Sequence, residues 1–302
     1  SVYSRYTDQV EPYGMDECFL DVTASQVLYG SGKEIADQIR CRMKNELGLT
    51  VSIGISFNKI FAKLGSDMKK PDAITSIEES EWKQKVWPLR VSELLFCGRS
   101  TTKKLEQVGI YTIGDLAEMD HDYVNQLLGK NGLMLWSYAN GLDDSPVMEK
   151  DFVSPMKSVG HGITCTADLK TEEEVWKVIL ELCQDIGHRL RIHGLKAQGV
   201  QIAIRSQELF TRQYQGQLSL PTIGPLEIAK LARELFQRNY DWKEPVRSVT
   251  VRAINLVSAK EPEQICLFSD PIRLEKEEKL FLAIEETRRR FGKRAIYPAA
   301  LM

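Results

Sequence analysis

The stretch GMDECFLD at residues 14–21 decides more about the fold of this chain than any other. Gly14 supplies turn chemistry after the extended run at 9–13, and an apolar run follows. The pattern predicts a β-hairpin that carries Asp16 and Glu17 at its tip or just past it. Two carboxylates that converge at a turn can hold a hard divalent cation such as Mg²⁺, although a solvated acidic turn is more common.

A second motif follows, in which a β-rich run at 51–56 leads into a helix. Asn58 is suited to cap the start of this helix. Pro71 disfavours helical angles at Lys70, the residue before it, so the helix is expected to lie between Asn58 and Lys70. Its apolar stripe consists of Ile60, Phe61, Leu64 and Met68. Lys63 and Lys70 would lie on the helix or just beyond it, where they can bind phosphates or simply interact with the helix dipole.

The hairpin acids, the run GISFNKIFAK at 54–63 and the corner DMKKPD at 67–72 occur in this order. Together they resemble the Y-family DNA polymerases, the translesion class that includes bacterial polymerase IV and the catalytic subunit of polymerase V. The resemblance implies an α/β multidomain fold. It would comprise a partial palm sheet, a small all-α thumb with a helix-hairpin-helix, a β-α-β-β-α-β little finger and a C-terminal helical tail.

The same resemblance implies four domains along the chain. The palm would occupy 1–86, the thumb 87–155, the little finger 156–262 and the tail 263–302. In the family, the first palm strand and the fingers precede the position of Ser1, so the chain is expected to be an N-terminally shortened piece.

Local patterns are consistent with this division. Ser31 and Glu34 form a capping box that opens a helix in the first domain. The apolar face of that helix is formed by Ile35, Ile39, Met43 and Leu47. After residue 156, strand-like runs flank two helices, at about 171–194 and 226–239, in the order β-α-β-β-α-β.

The bulk composition is that of a globular protein with more than one domain. The chain has 302 residues, of which 43% are hydrophobic and 27% charged. The six cysteines are scattered, and no cysteine or histidine group has the spacing of a zinc site, so we expect free thiols and a cytoplasmic location. No apolar run is long enough to span a bilayer, so a membrane is not expected as a partner.

The net charge of −2 gives no sign of nucleic-acid binding, but basic residues are concentrated at 189–212 and 243–260. Both ranges belong to the predicted little finger, whose open sheet face would follow a phosphate backbone without reading bases. A solvated sheet face is the alternative. The residues expected to bind DNA there are Lys157, Ser158, Arg205, Arg212, Arg247 and Arg252.

In the predicted thumb, residues 101–110 resemble the second half of a helix-hairpin-helix, whose loop offers backbone N–H groups to a DNA phosphate. The residues expected to bind DNA there are Gly98, Thr101 and Lys103. Of the two glycines in the family pattern only Gly98 is kept, so an ordinary antiparallel helix pair is an equal alternative.

The resemblance also implies a reaction, the template-directed transfer of a nucleotide from a dNTP to the 3′-hydroxyl of a primer. Two Mg²⁺ ions would assist it, with Asp16 bridging both and Glu17 holding the ion at the primer terminus. Lys70 would contact the triphosphate, and Lys63 is a weaker candidate for the same role. The third metal carboxylate would precede Ser1, so this chain alone is expected to bind primer-template DNA without catalysis.

The stretch QICLF at 264–268 resembles Q-L-x-L-F, the clamp-binding peptide of bacterial polymerases. Leu267 and Phe268 would fill an apolar pocket of the bacterial sliding clamp, the beta subunit, and Gln264 would fix the register. An interior strand is the alternative. A charged helix is expected next, over about 273–290, and the protein is expected to be a monomer.

Two other functions are compatible with these residues. One is a non-catalytic DNA-binding or clamp-tethered accessory module of DNA repair, in which the acidic pair is structural. The other is a helix-hairpin-helix repair protein such as a nuclease, for which the sequence offers no separate acidic cluster. An apolar strand containing Asp upstream of Ser1 would favour the polymerase over the accessory module.

Overall fold

The structure of this protein is a computed structural model that describes residues 2–261, 271–292 and 295–299. The chain divides into two compact units, Ser1–Val153 and Ser154–Met302. This division lies close to the domain boundary expected after residue 155, whereas the finer division of each unit stays a prediction. Helices and strands occur in both units, as expected for an α/β multidomain fold.

The first unit is built from short strands and helices. The strands are β1 Val10–Tyr13, β2 Glu17–Leu20, β3 Ile53–Ser56 and β4 Ile74–Ile77. The helices are α1 Gln26–Tyr29, α2 Gly32–Leu47, α3 Lys59–Met68, α4 Trp82–Val86, α5 Arg99–Gln107, α6 Ile113–Glu118, α7 His121–Leu128 and α8 Lys130–Ala139. Single 3₁₀ turns lie at Tyr3–Arg5 and Val91–Glu93.

β1 and β2 form the predicted hairpin. They pair antiparallel, with Tyr13 opposite Glu17. The connection can be tight because Gly14 adopts a φ of +75°, a conformation that favours glycine. The turn therefore places Asp16 at the end of the loop and Glu17 at the first position of β2.

α3 packs closely on β3, which pairs in parallel with β4. Asn58 caps the helix as predicted, because its Oδ1 accepts a hydrogen bond of 2.8 Å from the Phe61 N–H. The two backbones meet at glycines, so that a Cβ built on Gly65 would lie 3.3 Å from the Cα of Gly54. The buried members of the predicted apolar stripe are Ile60, Phe61 and Leu64.

α2 begins with the predicted capping box, in which Ser31 and Glu34 each accept a hydrogen bond from the backbone N–H of the other. The buried residues of its predicted apolar face are Ile35, Ile39 and Met43. The prediction is wrong for Leu47, whose side chain is 55% exposed. Leu47 is the last residue of α2, beyond the buried cluster, and the chain turns away after it through Gly48 at a φ of +68°.

α4 to α8 follow β4 in the first unit and share one apolar core with α3. The core residues include Phe61, Leu64, Val91, Leu94, Leu105, Ile113, Leu116, Val124 and Leu135. Gly109, Gly129 and Gly141 follow the ends of helices at positive φ, as expected for C-terminal caps. α3 thus packs both on β3 and on these helices, which together fix the position of its polar side.

The second unit is a four-stranded antiparallel sheet with helices on one face. Its elements are β5 Ser158–Leu169, α9 Glu172–Ile192, β6 Leu195–Ser206, β7 Thr211–Thr222, α10 Pro225–Asn239, β8 Val246–Ser258 and α11 Pro271–Phe291. The strands lie in the order β5-β8-β6-β7. The predicted β-α-β-β-α-β succession is confirmed, and α11 confirms the helix expected at about 273–290.

The two faces of this sheet differ as the alternation along β6 predicts. The residues buried against α9 and α10 are Val200, Ile202 and Ile204. Gln201, Ala203 and Arg205 line a hollow on the opposite face, which is therefore open to a ligand.

In neither unit does a helix of the described ranges combine the length and apolar character needed to cross a bilayer.

Candidate functional site

A cleft of about 710 Å³ lies between β2 and β3 in the first unit. Glu17–Leu20 and Ile53–Ser56 line it, so both strands border the cleft along their whole length. Among the described residues β2 pairs only with β1 and β3 only with β4, which leaves one edge of each strand without a strand partner. The acidic turn and three lysines of the α3 region, Lys59, Lys63 and Lys70, border the same cleft, which makes it the candidate site.

Asp16 and Glu17 both line this cleft. Asp16 is exposed, and its carboxylate has no hydrogen-bond or ion-pair partner in the part of the chain that the structure describes. The Glu17 side chain is 38% exposed. Adjacent exposed carboxylates offer the oxygen donors that a hard divalent cation prefers, so the pair fits such an ion. Within the described ranges no third His, Cys, Asp or Glu completes a metal-binding group with them.

Lys63 lies between two carboxylates at the edge of the cleft. Its Nζ donates hydrogen bonds to Glu17 Oε1 at 3.0 Å and to Asp67 Oδ2 at 2.8 Å. Lys70 Nζ lies 2.7 Å from Asp67 Oδ1. One predicted metal ligand and both predicted triphosphate ligands are therefore joined in one network. The sequence analysis missed Asp67, although its i,i+4 spacing from Lys63 and i,i+3 spacing to Lys70 are those of helical ion pairs.

The charges of this network stabilise one another. Burial by itself lowers the pKa of Lys63, but its hydrogen bonds to Asp67 and Glu17 outweigh that effect, so the pKa is raised. Burial by itself raises the pKa of Asp67, but hydrogen bonds from Lys63 and Lys70 leave the pKa lowered. Lys63 is therefore protonated and Asp67 ionised at neutral pH.

A second ion pair joins β1 to α3. Lys59 Nζ lies 3.0 Å from Glu11 Oε2 and donates a hydrogen bond of 2.9 Å to the Pro146 carbonyl. Glu11 in turn accepts a hydrogen bond of 3.0 Å from the Met148 N–H. The two side chains are only 15% and 25% exposed, so solvent screens their attraction weakly. These contacts connect the hairpin that carries the acids to the helix that carries the lysines.

The residues predicted for a helix-hairpin-helix lie together at the start of α5. Gly98 is the N-cap of this helix, and Thr101 and Lys103 lie in its first two turns. Phe96 precedes them at a φ of +67°, with its side chain 56% exposed. The arrangement leaves the N-terminal backbone N–H groups of α5 without a side-chain cap, and their contact with DNA stays a prediction.

Two of the predicted DNA ligands, Arg205 and Arg252, lie on the open face of the second unit. They line a hollow of about 520 Å³. Its polar residues also include Thr164, Gln201, Thr211, Gln213, Ser248 and Thr250. Arg205 Nη2 donates a hydrogen bond of 3.0 Å to Thr164 Oγ1, whereas Arg252 has no ion-pair partner in the described ranges. Ser158 begins β5, directly after Lys157.

Arg212 and Arg247 do not line this hollow. In the register of β6 and β7, Arg212 lies opposite Ile204, whose side chain is buried on the helix side of the sheet. Because directly opposed residues share a face, Arg212 projects toward that side. Arg247 Nη1 lies 3.1 Å from Asp168 Oδ1. The structure therefore does not bring these two side chains together with Arg205 and Arg252.

The stretch predicted to bind a sliding clamp, with Gln264, Leu267 and Phe268, lies outside the described residues. That assignment stays a prediction, and so does the monomeric state.

Two family models match the chain. The model described as "impB/mucB/samB family" matches residues 1–67, and the model described as "impB/mucB/samB family C-terminal domain" matches residues 156–267. The first match contains the acidic turn and Lys63. The second contains the whole sheet of the second unit.

Several proteins are similar to the chain over nearly its whole length. DNA polymerase IV of Acetivibrio thermocellus is 47% identical over 291 residues, which cover 96% of this chain and 73% of that protein. DNA polymerase IV of Clostridium acetobutylicum is 32% identical over 302 residues, covering 100% and 75%. DNA polymerase IV 2 of Bacillus subtilis is 34% identical over 309 residues, covering 99% and 73%.

A solved structure is also similar in fold. It is a Y-family DNA polymerase chimera, with a TM-score of 0.71 and 21% sequence identity. The match covers 84% of this chain and 73% of the chimera.

Proposed function

The chain belongs to the impB/mucB/samB family of Y-family DNA polymerases, and from this membership we propose that it carries out template-directed DNA synthesis past lesions during DNA repair. The observation that carries the proposal is the pair Asp16 and Glu17, which borders a cleft together with Lys63 and Lys70. Carboxylates that can hold divalent cations, next to ammonium groups that can hold phosphates, suit a reaction at a triphosphate.

Within this proposal the subdomains of the family follow one another along the chain. The palm corresponds to 1–86, the thumb to 87–155, the little finger to 156–262 and the tail to 263–302. The hairpin and α3 support the first assignment, and the group of short helices α5 to α8 supports the second. The sheet with one open polar face supports the third.

The acidic pair would hold the two Mg²⁺ ions that we propose as cofactors. When bound at such a site, divalent cations lower the pKa of an attacking hydroxyl and neutralise the charge of a leaving pyrophosphate. Asp16 and Glu17 supply carboxylate oxygens for this purpose. Lys70, whose side chain is 55% exposed, would bind the triphosphate of the incoming dNTP and hold it near the primer end.

We expect the 302-residue chain by itself to bind primer-template DNA and to leave the primer unextended. Four other acidic residues line the cleft, but in the described ranges none of them forms a metal-binding group with Asp16 and Glu17. This pair can hold one divalent ion, whereas two ions need more oxygen ligands and more negative charge than the pair supplies. The cleft runs along the unpaired edges of β2 and β3, which can accept a further extended segment. In the family such a segment carries the third carboxylate.

A primer-extension gel with Mg²⁺ and all four dNTPs checks this expectation. A bacterial polymerase IV serves as the positive control, and an electrophoretic shift of the same DNA shows whether the chain binds. Extension by the chain clearly above the blank without enzyme would contradict it.

The open face of the second unit should track the phosphate backbone of DNA. We expect the double variant Arg205→Ala and Arg252→Ala to bind duplex DNA about 10-fold more weakly at moderate salt. The slope of log affinity against log salt should fall in magnitude by about 2. Each phosphate contact that is lost lowers the number of counterions released on binding by about one. Fluorescence anisotropy over a series of salt concentrations measures both quantities.

A matched control removes two positive charges from the other side of the same sheet. Lys230 and Arg238 lie on α10 and form ion pairs with Glu227 and Glu234. The variant Lys230→Ala and Arg238→Ala should leave the salt slope nearly unchanged. If both double variants lower the slope equally, binding depends on net charge and not on the open face.

The substrates in this proposal are primer-template DNA and dNTPs, and the partner is the bacterial sliding clamp. The clamp assignment depends on the motif at 264–268, with Leu267 and Phe268 as apolar anchors. A synthetic peptide of this motif that fails to bind the clamp in a calorimetric titration would remove that part of the proposal.

A further inference from the structure

The Lys63 ammonium group is shared between two carboxylates that belong to different elements. Its Nζ lies 3.0 Å from Glu17 on β2 and 2.8 Å from Asp67 on α3. The Lys63 side chain is only 15% exposed, so its stem is packed and its reach is limited. An ammonium group has three donors, and two of them are occupied by these carboxylates.

The two partners of Lys63 are not equivalent. Asp67 follows Lys63 by one helical turn, so the fold of α3 by itself brings the two side chains within reach of each other. Asp67 is further fixed by Lys70, whose Nζ lies 2.7 Å away. Glu17, in contrast, meets Lys63 only through the packing of the hairpin on α3. The ion pair with Asp67 therefore depends on α3 alone, whereas the ion pair with Glu17 also depends on the packing of the hairpin on α3.

The position of the two carboxylates relative to the cleft also differs. Glu17 and Lys63 line the cleft, whereas Asp67 does not. A cation that enters the cleft can therefore reach the Glu17 oxygens without competing for those of Asp67. At a distance of a few ångströms the Lys63 charge would repel such a cation. Lys63 contacts Glu17 through Oε1, so a cation that binds this oxygen must displace the ammonium group, which can stay on Asp67.

We propose that Lys63 is the resident counter-ion of Glu17, and that it is retained by Asp67 alone when a divalent cation binds at the acidic turn. This proposal rests on the proposed function of Asp16 and Glu17. It assigns to Lys63 a positioning role at the metal ligand in place of the triphosphate contact expected from sequence. Asp67 becomes a second positioning residue, because it holds the displaced ammonium group away from the metal.

The experiment titrates the 302-residue chain with Mn²⁺ alone, without DNA or nucleotide, and follows free Mn²⁺ by electron paramagnetic resonance. For Lys63→Gln we expect the Kd for Mn²⁺ to fall about fivefold, because a competing charge is removed. For Asp67→Asn we expect the Kd to rise about threefold, because Lys63 then binds Glu17 alone. The conservative variant Lys63→Arg keeps the positive charge, so its Kd for Mn²⁺ should stay close to that of the unmodified chain.

Two controls separate this mechanism from a general charge effect. Lys69 is exposed and lies beside the same helix end, so Lys69→Gln removes an equal charge without touching Glu17 and should leave the Kd nearly unchanged. If Asp67 acts through Lys63, then Asp67→Asn should have little effect in the Lys63→Gln background. Thermal unfolding of each variant verifies that the first unit remains folded.

The outcomes distinguish this proposal from the function on which it rests. If Asp16→Asn weakens Mn²⁺ binding but Lys63→Gln leaves it unchanged or weaker, the counter-ion role is overturned and the metal site stands. Equal effects of Asp67→Asn in both backgrounds would also overturn it. If the unmodified chain binds no Mn²⁺, or if Asp16→Asn has no effect, the metal site itself is wrong and both proposals fail.

Discussion

Asp16→Asn should abolish primer extension by the protein as its gene encodes it, with a fall in kcat of at least about 1,000-fold, equivalent to about 4 kcal/mol in the barrier. The amide keeps the shape of the carboxylate but not its charge, so it cannot replace an anionic metal ligand. Asp16 is the more sensitive of the two acids, because it is exposed in the cleft and has no ion-pair partner among the described residues.

Single-turnover primer extension at saturating dNTP measures this effect. The affinity of the variant for DNA, measured by fluorescence anisotropy, should change by less than about twofold, because Asp16 makes no phosphate contact. Asp8→Asn is a suitable control, since Asp8 is exposed in the same unit and does not line the cleft. If Asp16→Asn keeps the activity of the control, the acidic turn is not the metal site, and the accessory-module alternative regains weight.

Gly54→Ala should destabilise the first unit by at least about 3 kcal/mol, the range of severe overpacking. A Cβ built on Gly54 would lie 1.8 Å from the Ala62 carbonyl oxygen and 2.5 Å from the Ser66 nitrogen. Both atoms belong to the backbone of α3, so no side chain can move aside to make room. The helix would have to separate from β3, and the buried Phe61 would lose part of its packing.

Thermal unfolding followed by circular dichroism checks this expectation, with a decrease in Tm of about 6–12 °C for the first unit. Gly98→Ala is the matched control, because Gly98 has a φ of −75° and a Cβ there would meet no atom within 4 Å. Its stability should change by less than about 0.5 kcal/mol. Equal Tm values for the two variants would contradict the close packing of α3 on β3.

Gly54 also matters for the candidate site, because α3 carries Lys63 and Asp67. If the helix moves away from β3, the contact between Lys63 and Glu17 must lengthen. A folded Gly54→Ala variant should therefore share the altered Mn²⁺ affinity of Lys63→Gln. The stability of the first unit and the geometry of the acidic turn thus depend on the same backbone contact.

Much of the candidate site could be predicted from the sequence because the residues are neighbours in the chain. Asp16 and Glu17 are adjacent, and the glycine two positions before Asp16 forces the turn that presents them. The start of α3 follows from the short-range hydrogen bond of Asn58. The sequence analysis placed four arginines at one DNA-binding face, whereas only Arg205 and Arg252 line its hollow, since charge alone does not say which face of a strand a side chain occupies.

Contacts between distant residues could not be predicted in this way. Glu17 and Lys63 are 46 positions apart, and Glu11 and Lys59 are 48 positions apart. Whether such residues meet depends on how the hairpin packs on α3, and no local pattern encodes that packing. The same holds for Arg212, whose face is set by its register opposite Ile204.

The sequence by itself determined the family, through the order of its motifs. It also determined the hairpin with its two acids, the capped helices and the β-α-β-β-α-β succession of the second unit, because turns, caps and side-chain periodicity over a few residues specify each of them. Only the tertiary structure decided that Lys63 neutralises Glu17, that Asp67 joins both lysines, and that Arg205 and Arg252 alone among the predicted arginines line the open face. These facts depend on crossing angles and strand register, which arise only when separate elements pack together.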